Sequence, residues 1–340
     1  MLINNNEYLR IIDEIKANIK STQYRAALAV NNELLILYWE IGNVINTHSV
    51  WGNKFIENLA RDITLEFPKA KGYSIRNLKY MAKFAKTYTN IEFVQRCAAQ
   101  IPWRHNIALL DKVKDENECK WYIQEVIKNG WSRDWLVKQI ENQLYQRQII
   151  SHKSTNFDLR LPPPQSELVK QTMKDPYIFD FIEDRDGIVE REIENEMVKN
   201  VTKLLLELGT GFAFIGNQYH IEVENEDFYI DLLFYHLKLR CYVVIELKRG
   251  DFKPEYAGKL NFYISAVDDL IKTELDNPSI GILLCRNKKE MIAEYALRDI
   301  EKPIGVSEYK LFDELPEKYE NILPSAKDIE TRIGMNIDDI

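Results

Sequence analysis

The chain has 340 residues, of which 45% are hydrophobic and 29% charged. This composition excludes collagen-like and disordered classes and provides enough chain for about two folded domains. No apolar run reaches the ~20 residues of a membrane span, and no signal peptide is recognisable, so we expect a cytoplasmic protein with no membrane partner. The four cysteines show no CxxC spacing, which argues against a zinc site and a disulfide framework and fits a reducing compartment.

Charge is unevenly distributed along the chain. Residues 1–150 carry 21 Lys/Arg and 16 Asp/Glu, a net charge of +5, whereas residues 151–340 carry 24 and 37, a net charge of −13. This difference predicts two modules with different partners, and the basic module is the better candidate for contact with a polyanion.

The first 150 residues predict an all-helical domain. Apolar residues recur at helical spacing in seven stretches: 8–20, 26–45, 55–67, 75 onwards, 105–114, 117–129 and 132–148. Pro68 ends the third stretch, and Ser74 is placed to cap the helix that begins at Ile75.

The helix that begins at Ile75 carries a basic face. No acidic residue occurs between Lys69 and Asn90, and four basic residues fall at i, i+3, i+7 and i+10: Arg76, Lys79, Lys83 and Lys86. A turn followed by such a helix resembles the second half of a helix-turn-helix and would contact DNA phosphates. An ordinary solvated lysine face is the alternative.

All six tryptophans lie in this half, at positions 39, 51, 103, 121, 131 and 135. We expect them to build the core and a partner surface rather than to stack on bases. Oligomerisation or partner binding is therefore the alternative role of this domain.

A polar segment with three consecutive prolines, residues 151–165, predicts a linker to a second domain that covers 166–340. The elements predicted after it are a short helix at 166–173, a helix at 190–208, strands at 212–223, 228–235 and 241–248, a helix from 254 to about 267, a strand at 279–285 and a helix at 288–300. This order predicts an α/β domain with a mixed sheet, so the whole chain is expected to be an α+β multidomain protein.

The second and third strands predict a hairpin that brings charged residues together. A turn centred between Lys238 and Leu239 would place Asp231 opposite Glu246, and Lys248 would share the face of Glu246 because side chains alternate along a strand. Two carboxylates this close repel each other unless a cation lies between them, and oxygen ligands suit Mg²⁺ or Mn²⁺. The alternative is a buried salt bridge.

A further acid is expected from the preceding helix. Glu194 falls on the apolar stripe that contains Val198 and Val201, so it would face the core. Three neighbouring acids compete with it for this role, namely Glu190, Glu192 and Glu196.

The order helix-Glu, strand-Asp, strand-Glu-x-Lys resembles the PD-(D/E)XK nuclease superfamily. The longer string GFAFIGNQYHIEVENEDFYIDLLFYHLKLRCYVVIELKRGDFKPEYAGKLNFYISAVDD is similar to the YhcG family of bacterial proteins. The N-terminal half contributes LYWEIG, GYSIRNLKYM and NGWSRDWLVKQIENQLYQRQ, so the resemblance covers essentially the whole chain.

The resemblance implies a helical N-terminal module joined to a restriction-endonuclease-like nuclease domain. It implies that Asp231, Glu246 and Glu194 are metal-binding acids and that Lys248 is the catalytic lysine. Relatives tend to carry glutamine where this chain has Lys259, four residues before Tyr263, and we expect both side chains to bind substrate.

The expected roles of three further polar residues follow from their places in the predicted strands. Gln218 is a candidate contact to a phosphate or a base edge, with an outward-facing polar residue as the alternative. His220 and His236 are not spaced as metal ligands with the acids, and we expect them at the surface or at strand ends.

These observations predict a Mg²⁺-dependent DNA endonuclease, with Mn²⁺ as a substitute, that is structure-directed or acts in defence or repair. Its expected partners are DNA, further copies of the chain and other defence or repair proteins. The alternative is a catalytically inactive DNA-binding or scaffold protein with a nuclease-like fold. RNA ranks below DNA as a substrate because no aromatic RNA-recognition motif is present.

Overall fold

The computed structural model describes residues 5–48, 52–185 and 187–312. Residues 313–340 of the predicted nuclease domain and Trp51 lie outside the described residues. The chain divides into two compact units, one ending at Tyr145 and the other beginning at Gln146.

All the secondary-structure elements of the first unit among its described residues are helices, as predicted. Its helices are α1 (Asn5–Thr47), α2 (Gly52–Glu66), α3 (Ile75–Thr87), α4 (Ile91–Arg96), α5 (Trp103–Lys112), α6 (Glu116–Asn129) and α7 (Arg133–Glu141), with a 3₁₀ turn at Ala98–Gln100. The two helices predicted within 8–45 form the single helix α1, because the residues between them contain no helix breaker.

The core of the first unit is built on close packing between α1 and α3. A Cβ added to Gly42 would lie 2.1 Å from the carbonyl oxygen of Met81, so only glycine permits this approach. Ser74 caps α3 as predicted, accepting a hydrogen bond from the backbone N–H of Asn77 at 3.3 Å. The indole N–H of Trp103 donates to the side-chain oxygen of Asn77 at 2.7 Å, so this tryptophan belongs to the core.

The segment predicted as a linker folds within the second unit. A π-helical turn (Gln146–Ile150) is followed by β1 (Ser154–Thr155), α8 (Phe157–Arg160) and α9 (Gln165–Thr172). Phe157 is fully buried in the core, so the proline run marks a tight turn on the domain rather than a free connection.

The second unit contains a mixed seven-stranded sheet, which confirms the predicted fold class. After β2 (Tyr177–Phe179), the helices α10 (Glu190–Lys199) and α11 (Val201–Leu208) precede β3 (Phe212–Val223), β4 (Glu226–His236) and β5 (Cys241–Leu247). The helix α12 (Pro254–Leu270), β6 (Ile280–Cys285), α13 (Glu290–Arg298) and β7 (Ile304–Leu311) follow. The strand order is β1-β7-β6-β5-β4-β3, and β2 pairs with β7.

The sheet is antiparallel from β3 to β5 and parallel from β5 to β7. Apolar clusters cover both of its faces, with α10 and α11 packed on one and α12 and α13 on the other. The predicted helix at 190–208 is broken at Asn200, and the sequence did not predict β1, β2 and β7. Within the described residues, no helix is both long and apolar enough to cross a membrane.

Candidate active site

The hairpin of β4 and β5 has the predicted register. Leu232 pairs with Ile245, and the turn occupies residues 237–240. Asp231 and Glu246 are the next residues beyond this last pair. The backbone N–H of Leu247 donates to Asp231 Oδ2 at 2.9 Å, which fixes the carboxylate beside the end of β5.

Glu246 is the most enclosed acid of the site, with 0% of its surface exposed. Its Oε1 lies 3.0 Å from Lys248 Nζ and 2.6 Å from Lys259 Nζ. Its Oε2 is buried and has no hydrogen-bond partner among the residues that the structure describes. A buried oxygen of this kind is costly, and a positive ligand on that side of the carboxylate would offset the cost.

The pKa values of the site reflect this crowding of charge. Burial and then the negative charge of Glu246 raise the pKa of Asp231 to about 6. Burial acts to lower the pKa of Lys248, but Glu246 and Glu190 outweigh it and raise the pKa above its usual value. Burial also acts to lower the pKa of Lys259, but the nearby Glu246 carboxylate outweighs it and raises that pKa. Both lysines are therefore cationic at neutral pH.

Glu194 reaches the site through amide side chains rather than directly. It is buried on α10, and its two oxygens accept hydrogen bonds from Asn217 Nδ2 at 3.2 Å and from Gln218 Nε2 at 2.7 Å. Gln218 Nε2 also lies 3.3 Å from Asp231 Oδ1. Gln218 was predicted to contact substrate, whereas in the structure its amide connects two acids.

The four acids at the start of α10 have different surroundings. Glu190 accepts from Lys248 Nζ at 3.0 Å and from the backbone N–H of Arg249 at 3.2 Å. Glu192 caps its own helix at the N–H of Val189, and Glu196 contacts a lysine on the surface of the same helix. Glu190 and Glu194 therefore both face the site, and their i, i+4 spacing is the signal that could have identified the pair.

Two tyrosines of α12 adjoin the lysines. Lys259 Nζ lies 5.1 Å from the ring centroid of buried Tyr263, and Lys248 Nζ lies 5.5 Å from that of Tyr256. Lys259 was predicted to bind substrate, and in the structure its ammonium group is paired with Glu246. Sequence reasoning did not identify Tyr256 or Asn217.

The two histidines of the strands differ from each other. His220 is exposed and lies 2.6 Å from Asp227, in agreement with a surface position. His236 lies at the end of β4 as predicted, but it is buried rather than on the surface, because it packs against Phe212 at a ring-centroid distance of 4.9 Å.

The acidic side chains of the site offer a divalent cation two carboxylates rather than a full set of ligands. Across residues 5–48, 52–185 and 187–312, no group of three or more His, Cys, Asp or Glu side chains is arranged to hold a metal ion. The pair of Asp231 and Glu246 nevertheless fits such a cation, because their charges repel and Glu246 Oε2 has no partner among the described residues. Glu194 is bound by two amides and stands outside that pair.

The predicted basic face lies on the surface of the first unit. Its four side chains are exposed, while Leu78, Met81, Phe84 and Ala85 are the buried residues of α3. Lys83 Nζ forms an ion pair with Asp111 at 2.9 Å, and the guanidinium of Arg76 lies 5.9 Å from the ring centroid of Tyr80. Lys83 is therefore less available than the other three residues.

Comparison with known proteins follows the same division of the chain. Residues 14–147 match the DUF1016 N-terminal domain, and residues 170–324 match the YhcG PDDEXK nuclease domain. Two solved structures are similar over 38% of this chain, namely a repair endonuclease from Pyrococcus abyssi (19% identity, 49% of that chain, TM-score 0.25) and EndoMS in the EndoMS-dsDNA2 complex (18% identity, 48% of that chain, TM-score 0.27).

A relative is similar over nearly the whole length. The chain is 28% identical over 347 aligned positions to the Escherichia coli (strain K12) protein named "Putative nuclease YhcG", and the alignment covers 92% of each. The chain therefore contains a DUF1016 N-terminal domain followed by a YhcG PDDEXK nuclease domain.

Proposed function

We propose that this protein is a divalent-metal-dependent endonuclease that hydrolyses DNA phosphodiester bonds. The observation that carries the proposal is the environment of Glu246. One of its oxygens is held by two lysines, the other is buried with no partner in the described part of the chain, and Asp231 lies next to it. An ion pair that served only the fold would be expected to satisfy that oxygen as well.

Asp231 and Glu246 would hold the cation. A bound divalent cation supplies a Lewis acid that polarises the scissile phosphate. Leu247 N–H fixes one oxygen of Asp231, and Gln218 approaches the other, so the carboxylate needs little rearrangement when it binds a ligand. Glu194 acts through Gln218, and we assign it a positioning role rather than a place in the metal site.

Lys248 would act on the reacting group. It is a cation at the end of β5 with an ammonium group that is 3.0 Å from both Glu246 and Glu190. From this position it can donate a hydrogen bond to the attacking water or to a phosphate oxygen that gains negative charge in the transition state. Glu190 keeps the ammonium oriented until substrate replaces it.

DNA is the proposed substrate because the first unit presents a basic surface. Arg76, Lys79 and Lys86 lie exposed on one face of α3, at a spacing that suits successive phosphates. The four cysteines are free thiols, three of them buried, which is consistent with the cytoplasm as the proposed location. We keep Mg²⁺ as the expected ion, with Mn²⁺ as its substitute.

The experiment is cleavage of a DNA panel by the purified full chain. Single-stranded, duplex, flap and four-way-junction molecules are incubated with Mg²⁺, Mn²⁺ or EDTA, with matched RNA as a comparison. We expect metal-dependent cutting of DNA that Lys248→Ala and Asp231→Asn each reduce at least a hundredfold. Lys253→Ala, which removes an exposed lysine at the start of α12, is the control and should cut normally.

The alternative of an inactive scaffold makes a different prediction for the same panel. It would bind DNA without cutting it, and its calorimetric titration with Mg²⁺ would show no binding that Asp231→Asn abolishes. Full activity in both Lys248→Ala and Asp231→Asn would refute the assignment of the site itself.

A further inference from the structure

Arg286 lies beside the proposed active site, at the carboxyl end of β6. Leu247 of β5 pairs with Leu284 of β6 in parallel register, and the backbone N–H of Lys248 donates to the carbonyl of Leu284 at 2.7 Å. The backbone N–H of Arg286 donates in turn to the carbonyl of Gly250 at 3.1 Å, so the two segments stay adjacent beyond the strands. Neighbouring strands are ~4.8 Å apart, which places Arg286 one strand away from the segment that carries Lys248.

The guanidinium of Arg286 is held in a fixed orientation. Its Nη2 forms an ion pair with Asp184, from the segment between β2 and α10, and its Cζ lies 5.4 Å from the ring centroid of Tyr309. The side chain of Arg286 is 17% exposed, so part of it faces solvent. A planar guanidinium held in this way suits an anion, because its N–H groups bind carboxylate or phosphate oxygens in pairs.

The hydroxyl of Tyr309 lacks an acceptor. The residue is fully buried on β7, and its hydroxyl has no hydrogen-bond partner within the described part of the chain. Burial raises the pKa of this phenol, the positive charge of Arg286 opposes the rise, and the negative charge of Glu190 adds to it. The hydroxyl therefore stays protonated at neutral pH and lies in the field of both charges. A buried donor of this kind is costly, and an anionic oxygen bound within its reach beside Arg286 would offset the cost.

The acids that pair with the cations at this edge of the sheet indicate the ligand. Asp184 contacts Arg286, and Glu190 lies 3.0 Å from Lys248, so two carboxylates occupy two cations at adjacent strand ends. Carboxylate and phosphate oxygens bind the same donors, so phosphates can replace these acids. Under the proposed function Lys248 serves the scissile phosphate, and a cation one strand away is placed for a neighbouring phosphate of the substrate.

We propose that Arg286 binds a backbone phosphate of DNA next to the scissile one, and that Asp184 occupies the guanidinium until DNA replaces it. The choice of DNA rests on the proposed function, whereas the anion site rests on Arg286, Asp184 and Tyr309. The other interpretation of these contacts is an ion pair that only fastens the segment before α10 to the sheet. The two interpretations differ in what they predict for loss of the acid, because only a phosphate site gains from it.

The test is fluorescence anisotropy of a labelled duplex with the full chain in EDTA, at several salt concentrations. Arg286→Gln should bind DNA about tenfold more weakly, with a slope of log affinity against log salt that is smaller by about 0.9, the value of one phosphate contact. Asp184→Asn removes the competing charge and should bind about threefold more tightly. Arg286→Lys keeps the positive charge and should keep the salt slope of wild type.

The matched control is Lys302→Gln. Lys302 is also paired with an acid, Asp268 at 2.6 Å, but it precedes β7 and therefore lies at the opposite end of the parallel strands. This variant should bind DNA as wild type does. Urea unfolding of each variant measures any damage to the fold, and tighter binding by Asp184→Asn cannot arise from such damage.

Cleavage with Mg²⁺ tests whether Arg286 binds substrate or takes part in the chemistry. Arg286→Gln should raise KM and leave kcat unchanged, because a contact that is equal in the ground and transition states changes binding only. A fall in kcat at unchanged KM would overturn the proposed role.

The proposal is also overturned unless Arg286→Gln and Asp184→Asn shift DNA affinity in opposite directions. If wild type binds DNA and the two variants fail this criterion, the pair is structural and the failure is confined to Arg286. A wild type that binds no DNA would refute the proposed substrate together with this inference.

Discussion

At the scale of single residues, Gln218 combines an unusual backbone with two functional contacts. Its φ of 43° lies in the left-handed region, which costs a side-chain-bearing residue about 1–2 kcal/mol. The amide reached from this backbone contacts both Glu194 and Asp231. Strain of this kind is retained where the surrounding structure and the function of the site require it.

Two substitutions of Gln218 separate the effect of its side chain on cleavage from the effect of its backbone strain on stability. Gln218→Ala and Gln218→Gly both lose the amide, so each should lower the cleavage rate by tenfold or more. Gln218→Gly should nevertheless be more stable than Gln218→Ala by about 1 kcal/mol, because glycine adopts a positive φ without cost. Urea unfolding monitored in both variants measures the difference. Equal stability, or a more stable alanine variant, would show that φ is not strained here.

Lys259 is the residue where this chain departs from the glutamine expected of its relatives, and the departure has an electrostatic consequence. Its ammonium, 2.6 Å from Glu246, competes with any cation for that carboxylate. Lys259→Gln should therefore bind Mg²⁺ or Mn²⁺ at least tenfold more tightly in the absence of DNA, as measured by calorimetry. Lys253→Gln removes the same charge from an exposed position and should bind metal as wild type does. Unchanged or weaker binding by Lys259→Gln would contradict the competition.

At the scale of elements, contacts between neighbouring strands of the site could be predicted from the sequence, whereas contacts between elements far apart in the chain could not. The register of β4 and β5 follows from a short turn, so Asp231 and Glu246 could be placed together from the sequence. The contact between Lys259 and Glu246 depends on how α12 rotates against the sheet, which no local pattern encodes. Strand β7 is buried and pairs with remote segments, so it lacks the alternation that marks a strand with one exposed face.

The end of β4 also predicts a dependence of stability on pH. Burial lowers the pKa of His236 to about 4, and its Nδ1 accepts a hydrogen bond from the backbone N–H of Leu239 at 3.1 Å. The unfolded chain binds a proton below about pH 6.5, whereas the folded chain does so only near pH 4. Stability contributed by neutral His236 is therefore present above pH 6.5 and is lost as the pH falls towards 4, by about 1.4 kcal/mol per pH unit.

The measurement is the NMR titration of the His236 ring together with urea unfolding at pH 7 and pH 5. We expect an apparent pKa far below 6.5 and a loss of stability that is smaller in His236→Gln, whose amide oxygen can still accept from Leu239. A normal histidine pKa would show that the ring is accessible to water.

At the scale of the whole molecule, the division of charge corresponds to a division of tasks. The acidic second unit holds the proposed chemistry, and the basic first unit holds the proposed DNA surface. If α3 contacts phosphates, DNA binding should weaken as salt rises, with a slope of log affinity against log salt of about −0.9 per contact. Lys79→Ala with Lys86→Ala should reduce that slope by about 2, because each lysine contributes about one contact.

The matched control is Lys114→Ala with Lys128→Ala, which removes two exposed lysines from the same unit but from outside α3. Fluorescence anisotropy of a labelled duplex at several salt concentrations gives both slopes, with a metal-free buffer to prevent cleavage. A smaller slope in the α3 variant alone would place the phosphate contacts on that helix. Equal slopes in both variants would mean that the basic face is a solvated surface. The DNA contacts would then lie outside α3, and the lysines at Glu246 are the cations nearest to the proposed chemistry.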